Sequence, residues 1–234
     1  MHFLLLGASG RTGKQVVSEL LSQGHTAVAL VRTASSLTPR AGLTIVTGSP
    51  LSKDDIRKAV TATAAPVRPS AAIITLNTVR ESDSPFSKQL GPPRFLADSC
   101  ANACAVLEEA GVRRIVVLST AGVGDSWREL PWLSRMFMSL TNIKYALEDH
   151  GLVDTEIRRT NMDWTLVRAV KLEYDDTKDS SKTKAKTVTE VKTLGSNGAG
   201  MSVTSSVHIA NVAKFLVKVA TENGFVKEAV VISD

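Results

Sequence analysis

The sequence predicts an α/β protein built on a doubly wound parallel sheet with helices on both faces. Strand-length apolar segments alternate with helical patterns along most of the chain. The strand segments are nearly continuous apolar runs, as strands buried on both faces require. The first of them runs directly into a glycine-rich turn and a helix, the opening of a βαβ unit.

In order, residues 2–6 form the first strand, which runs into Gly7-Ala8-Ser9-Gly10-Arg11-Thr12-Gly13, and residues 14–21 continue as helix. A second strand over 27–31 follows Gly24-His25 and ends at Arg32. Further strands are predicted at 43–47, 71–75, 114–119, 164–168 and 229–232, with helices from about Ser52, over 93–110 and over 208–222. Three stretches break the alternation. Residues 79–93 form a long loop placed where a lid would sit. Residues 174–187 are mostly Asp, Lys, Ser and Thr and read as a solvated excursion without chemistry. Residues 195–206 read as a glycine-rich loop and short strand that close one side of a cleft.

The 234 residues, 43% of them hydrophobic, fit one domain spanning 1–234, with 127–160 and a small C-terminal region at 170–206 contributing the substrate side. The net charge of +5 comes from 28 basic residues dispersed among 23 acidic ones, with no basic stripe or stacking platform, so no nucleic-acid partner is expected. Cys100 and Cys104, four residues apart on a helix, suit buried reduced thiols better than a metal site or disulfide. No metal is expected. No apolar run reaches spanning length and the first strand leaves no room for a cleaved leader, so a cytoplasmic monomer or homodimer without a membrane partner is expected.

The turn carries the functional reading. Gly7 permits a tight strand-to-helix turn, Gly10 admits a pyrophosphate close to the backbone, and Gly13 lets the helix pack on the sheet. Ser9, Arg11 and Thr12 then line a phosphate site at the positive end of the helix. At the end of the second strand a carboxylate would accept bonds from a ribose 2′-hydroxyl, whereas a guanidinium pairs with a 2′-phosphate. Arg32, with Arg11 as a second clamp, therefore points to NADP(H); the alternative is that both are solvated surface charges. Ligands of such sheets bind beyond the carboxyl ends of the strands, which adds Leu76, Asn77, Ser119 and Thr120 to the cofactor side and directs attention beyond Arg168.

With the glycine turn, Arg32, Leu118-Ser119-Thr120-Ala121-Gly122-Val123-Gly124-Asp125-Ser126, Glu148-Asp149-His150-Gly151 and Asp163-Trp164-Thr165-Leu166-Val167-Arg168 in place, the chain resembles the atypical short-chain dehydrogenase/reductase superfamily over nearly its whole length. It is similar to NmrA-like NAD(P)-binding proteins, and to fungal oxidoreductases of aflatoxin and anthraquinone-type polyketide pathways. The resemblance implies a Rossmann-like fold and NADP-dependent oxidoreduction. Members that reduce carbonyls use Ser, Tyr and Lys, with Tyr-x-x-x-Lys spacing. Ser119 fills the serine position. Matching the lysine position to His150 leaves Ala146 where the tyrosine belongs, whereas matching Tyr145 to the tyrosine leaves Asp149 in place of lysine.

His150 beside a carboxylate offers a different proton carrier, with Asp154, four residues on, placed to orient it. The candidate catalytic set is therefore His150, Asp149, Tyr145 and Ser119. Against it, His150 can satisfy a buried polar contact, Asp149 can cap a helix, and Tyr145 can pack. Residues 127–140 hold two of the three Trp and two Met, either as helix core or as the wall of a flat apolar pocket for a small aromatic substrate. Three functions follow: an NADPH-dependent reductase of an apolar aromatic or polyketide-type carbonyl or quinone, a redox-neutral acid–base enzyme, or a non-catalytic NADP(H) sensor.

Overall fold

A computed structural model describes residues 1–62, 68–174 and 190–234. The elements run β1 (His2–Leu6), α1 (Arg11–Ser22), β2 (Thr26–Val31), β3 (Leu43–Thr47), α2 (Lys53–Thr61), β4 (Ala71–Ile74), α3 (Phe95–Glu109), β5 (Arg114–Thr120), α4 (Trp132–Leu140), α5 (Ile143–Ile157), β6 (Asp163–Ala169), β7 (Lys171–Glu173), β8 (Lys192–Thr193), β9 (Ser206–His208), α6 (Ile209–Thr221) and β10 (Glu228–Ser233). The main sheet has the order β3-β2-β1-β4-β5-β6-β10-β8, parallel throughout except that β8 runs antiparallel to β10; β7 and β9 form a separate parallel pair. This is the expected doubly wound fold, in which β1 feeds β2 and β3 on one side and β4, β5 and β6 on the other.

Side-chain alternation divides each central strand between two cores. Phe3 and Leu5 of β1, with Val116 and Leu118 of β5, pack under α1 and α6, which lie together on one face. Leu4 and Leu6, with Ile115 and Val117, pack under α2, α3 and α5 on the other. Ser119 shares the parity of Ile115 and Val117, so its side chain faces α5. Trp164 and Leu166 of β6 face that same layer, which puts Arg168 there too.

Helix ends follow local chemistry. Ser52 caps α2 by accepting from the Asp55 N–H, and the His208 ring accepts from the Ala210 N–H at the start of α6. Cys100 and Cys104 are buried free thiols, and a hydrogen bond between them, together with burial, pushes Cys100 well above the usual thiol range.

One segment differs from expectation. Residues 79–93 are a short hairpin rather than an irregular loop: Arg80 bridges Gln89 antiparallel, and the Leu90 N–H bonds the Val79 carbonyl. The glycine-rich loop expected within 195–206 is held in turns by Gly195, Gly198 and Gly200, all in the left-handed region, and its short strand falls at the very end of that range, in β9. The polar excursion expected at 174–187 lies outside the described residues apart from Tyr174. Among the described residues no helix is long and apolar enough to cross a membrane, and no cluster of metal-ligating side chains occurs.

Candidate active site

At the carboxyl end of β1 the chain turns through Gly7, whose φ of +90° favours glycine. A Cβ there would come within 2.7 Å of the Thr75 carbonyl and 2.8 Å of the Leu76 nitrogen, so the exit of β4 is packed directly against the turn. A Cβ on Gly13 would run into the Gly7 carbonyl and the Ala8 backbone. These two positions fix how closely α1 abuts β1. The first helical hydrogen bond of α1 runs from the Lys14 N–H to the Gly10 carbonyl, leaving the N–H groups of Arg11, Thr12 and Gly13 ahead of it. Gly10 brings no side chain to cap them, and the first turn has no acidic residue to occupy their field.

The turn therefore fits an anionic phosphate bridge, with backbone donors, a helix N-terminus and no Cβ in the way. Ser9 and Leu76 are half-buried beside it, Asn77 is exposed, and Thr12 is buried. The Asn77 side-chain oxygen accepts from the Thr78 N–H. Arg32 stands exposed one residue past β2, at the side of the turn where an adenosine ribose would be read. Arg11 is already engaged: its guanidinium bonds both oxygens of Asp83, which qualifies its reading as a second clamp.

Two strands from β1, roughly 10 Å away, lies the second half of the site. Ser119 and Arg168 are cross-strand neighbours on β5 and β6, both facing α5. Arg168 is fully buried. It bonds Asp125, the Asp154 carboxylate at 2.5 Å and the Ser196 carbonyl at 2.7 Å. A single guanidinium thus ties β6 to the turn after β5, to α5 and to the glycine-rich loop after β8. Gly124 (φ +60°) leaves room for it, since a Cβ there would lie 2.6 Å from Arg168 Nη2.

This network corrects one expectation. Asp154 does not orient His150; its oxygens go to Arg168 and to Arg158, whose Nε lies 2.5 Å away. His150 is buried, and burial depresses its pKa to about 4, so the imidazole is neutral near pH 7 rather than charged by a neighbouring carboxylate. Its Nδ1 and the Ser119 Oγ are both buried without a hydrogen-bond partner among the described residues. Ser119 points toward the α5 layer, and His150 lies on the buried face of α5 with Val153, Asp154 and Ile157.

Asp149 is also fully buried, and its two oxygens accept the Leu96 and Ala97 N–H groups at 2.8 and 3.0 Å. Of its two readings the geometry is the capping one: the carboxylate closes the N-terminus of α3. Burial raises its pKa against those two bonds. Tyr145 is exposed with the Lys144 ammonium 5.1 Å from its ring centre, and Thr120 bonds its neighbour's carbonyl.

The aromatic and Met stretch is not core. No residue of α4 is buried, and Trp132, Leu133, Met136, Phe137 and Leu140 are all exposed. It presents an open apolar face beside the start of α5. The Arg168 network is what sequence reasoning missed; an arginine ending an otherwise apolar strand, with Asp125 and Asp154 elsewhere in the chain, was its only trace.

A doubly wound sheet with a glycine phosphate cradle at β1 defines a dinucleotide-binding protein. The chain belongs to the NAD(P)H-binding family, whose pattern matches residues 7–223. It is 25% identical over 154 residues, 63% of its length, to the photosystem II assembly factor Ycf39 of Synechocystis, and spans 43% of that protein's length. Among solved structures it is similar to ChuY, an anaerobillin reductase from Escherichia coli O157:H7 (TM-score 0.72, 18% identity, 99% of this chain and 96% of that one). It is also similar to a short-chain dehydrogenase/reductase from Veillonella parvula solved with NADP (TM-score 0.74, 16% identity, 100% and 94%). At these identities the likeness is one of fold.

Proposed function

We propose that the protein is an NADPH-dependent oxidoreductase acting on an apolar aromatic or polyketide-type carbonyl or quinone in secondary metabolism. The observation that carries the reading is the pair of unpartnered buried polar atoms, Ser119 Oγ and His150 Nδ1, in the α5 layer two strands from the phosphate cradle. Buried polar groups without partners are costly, and a substrate oxygen would satisfy the Ser119 hydroxyl.

The bound nicotinamide would supply a hydride to the acceptor carbon. Gly7, Gly10, Gly13 and the N–H groups opening α1 hold the diphosphate, Ser9, Thr12, Leu76, Asn77 and Thr120 border it, and Arg32 selects the 2′-phosphate. Ser119 hydrogen-bonds the reacting oxygen. His150, neutral at pH 7, holds no imidazolium proton to give and orients that oxygen only by a hydrogen bond from Nδ1–H, so Tyr145 at the exposed rim is the proton donor. The apolar face of α4 supports a flat, oily substrate.

The test is consumption of NADPH at 340 nm against a panel of quinones and polycyclic ketones, with Ser119→Ala and His150→Gln alongside. Substrate-dependent loss of absorbance that falls at least tenfold in either variant supports the reading. A redox-neutral acid–base enzyme is the second reading, favoured by a neutral buried imidazole where the relay lysine of the resembling reductases would stand. Conversion of substrate with NADPH unchanged would select it.

A further inference from the structure

Arg11 links three parts of the molecule. Its guanidinium donates to both oxygens of Asp83 at 2.9 Å each and lies over the Tyr174 ring, 3.9 Å from its centre. Arg11 opens α1 directly above the phosphate cradle, Asp83 sits in the hairpin after β4, and Tyr174 follows β6 and β7. Because the sheet order is β1-β4-β5-β6, a side chain following β6 that touches one following β1 must reach back across the carboxyl ends of β4 and β5, a span of roughly 14 Å. Leu172 of β7 and Val207 of β9 pack in the α1 and α6 layer, so the contact lies on that side of the sheet, above the start of α1 and the phosphate cradle, while Ser119 faces α5.

The same hairpin tip has a second anchor. Asn142, just before α5, donates from its backbone N–H to the Pro85 carbonyl and from its side chain to the Phe86 and Ser87 carbonyls. Within the hairpin the Ser82 N–H bonds Ser87 Oγ. The hairpin tip is thus held on one arm by Asn142 and on the other, at Asp83, by Arg11.

We infer that Asp83 and Tyr174, gathered by Arg11, form a clasp over the dinucleotide crevice that opens to admit and release the nucleotide, with Asp83 as its positioning residue. This rests on the reading that the crevice binds NADP(H). The pair is built to open: the Arg11 and Asp83 side chains are 54% and 76% exposed, and an ion pair in that setting is weak and readily exchanged. The Arg168 network, on buried ground, is not. Asp83 also needs Arg11 as its counter-charge to remain near a diphosphate, so its carboxylate is a poor direct ligand for the nucleotide and a good latch for the cation beside it.

A clasp hinders admission and release alike, so weakening it speeds both and leaves the equilibrium nearly unchanged. Stopped-flow fluorescence with NADPH on the whole protein reads this for wild type, Asp83→Asn and Asp83→Glu. In Asp83→Asn the association and dissociation rate constants both rise about two- to fivefold, the range an exposed ion pair supplies, with Kd held within twofold; Asp83→Glu returns both rates toward wild type. Unchanged rates in Asp83→Asn overturn the inference. So does faster dissociation alone with weaker Kd, which makes the contact an ordinary binding interaction, or faster association alone with tighter Kd, which makes Asp83 a competing anion. A wild-type protein that gives no NADPH signal overturns the cofactor reading itself, an outcome distinct from the other three.

Discussion

Replacing His150 by Gln tests the neutral, buried imidazole through the pH dependence of stability. The unfolded chain binds a proton at this position with a pKa of 6.5, whereas in the folded protein burial lowers it to about 4. A depressed folded value means that the unfolded state holds more protons between those two pH values. The stability that neutral His150 contributes is therefore fully present above pH 6.5 and is lost as pH falls toward 4. The slope is about 1.4 kcal/mol per pH unit across the window, which gives about 2 kcal/mol between pH 7 and pH 5. For a protein of this size that corresponds to roughly 4–8 °C in Tm. Thermal denaturation of wild type and His150→Gln at both pH values isolates the effect, because His2, also lowered by burial, titrates in both proteins. Wild type loses about 2 kcal/mol more than the variant on going to pH 5. Equal losses would show that His150 is not held neutral by burial.

Arg168→Met removes the shared cation of buried Asp154, which keeps Arg158, and of half-exposed Asp125, and costs about 2–3 kcal/mol, below the full penalty of an unpaired buried charge, read as a Tm fall of at least 4 °C; a shift under 2 °C would show that the network is not holding the site together. Asp149→Asn weakens the cap on α3 by about 1 kcal/mol while NADPH affinity and turnover stay within twofold. A tenfold loss of turnover at unchanged stability would return Asp149 to the catalytic set. Trp132→Ser and Leu140→Ser, at 68% and 74% exposure, change stability by less than about 0.5 kcal/mol but raise KM for an apolar substrate, leaving kcat in place. Unaltered KM in both would detach α4 from the substrate.

The fold was legible because its signals are local. Continuous apolar runs mark β1, β2, β4 and β5, the Ser52 cap marks α2, and Gly7 and Gly13 declare the turn that only glycine can make there. The cofactor half of the site inherits that clarity. The other half depends on contacts between distant segments. Asp154 looks in sequence like a partner for His150 four residues back, but a buried arginine on the next element, β6, is a stronger claimant for its charge. Asp149 carries the same pattern of an acid beside a histidine, yet the open N–H groups of α3, some fifty residues earlier, take it. Arg11 read as a clamp for phosphate because nothing nearby in the chain announced Asp83, 72 residues on. The apolar stretch at residues 127–140 has helical spacing and so reads as core, but α4 lies outside the two layers that α1, α6, α3 and α5 already fill.

Calorimetric titration of NADPH and NADH against wild type, Arg32→Ala and Gly13→Val tests the central claim most directly. The account expects micromolar or tighter binding of NADPH, at least tenfold weaker binding of NADH, loss of that preference in Arg32→Ala, and no binding in Gly13→Val, whose side chain would run into the Gly7 carbonyl. Absence of binding by either nucleotide to the wild-type protein, or full affinity in Gly13→Val, would contradict it.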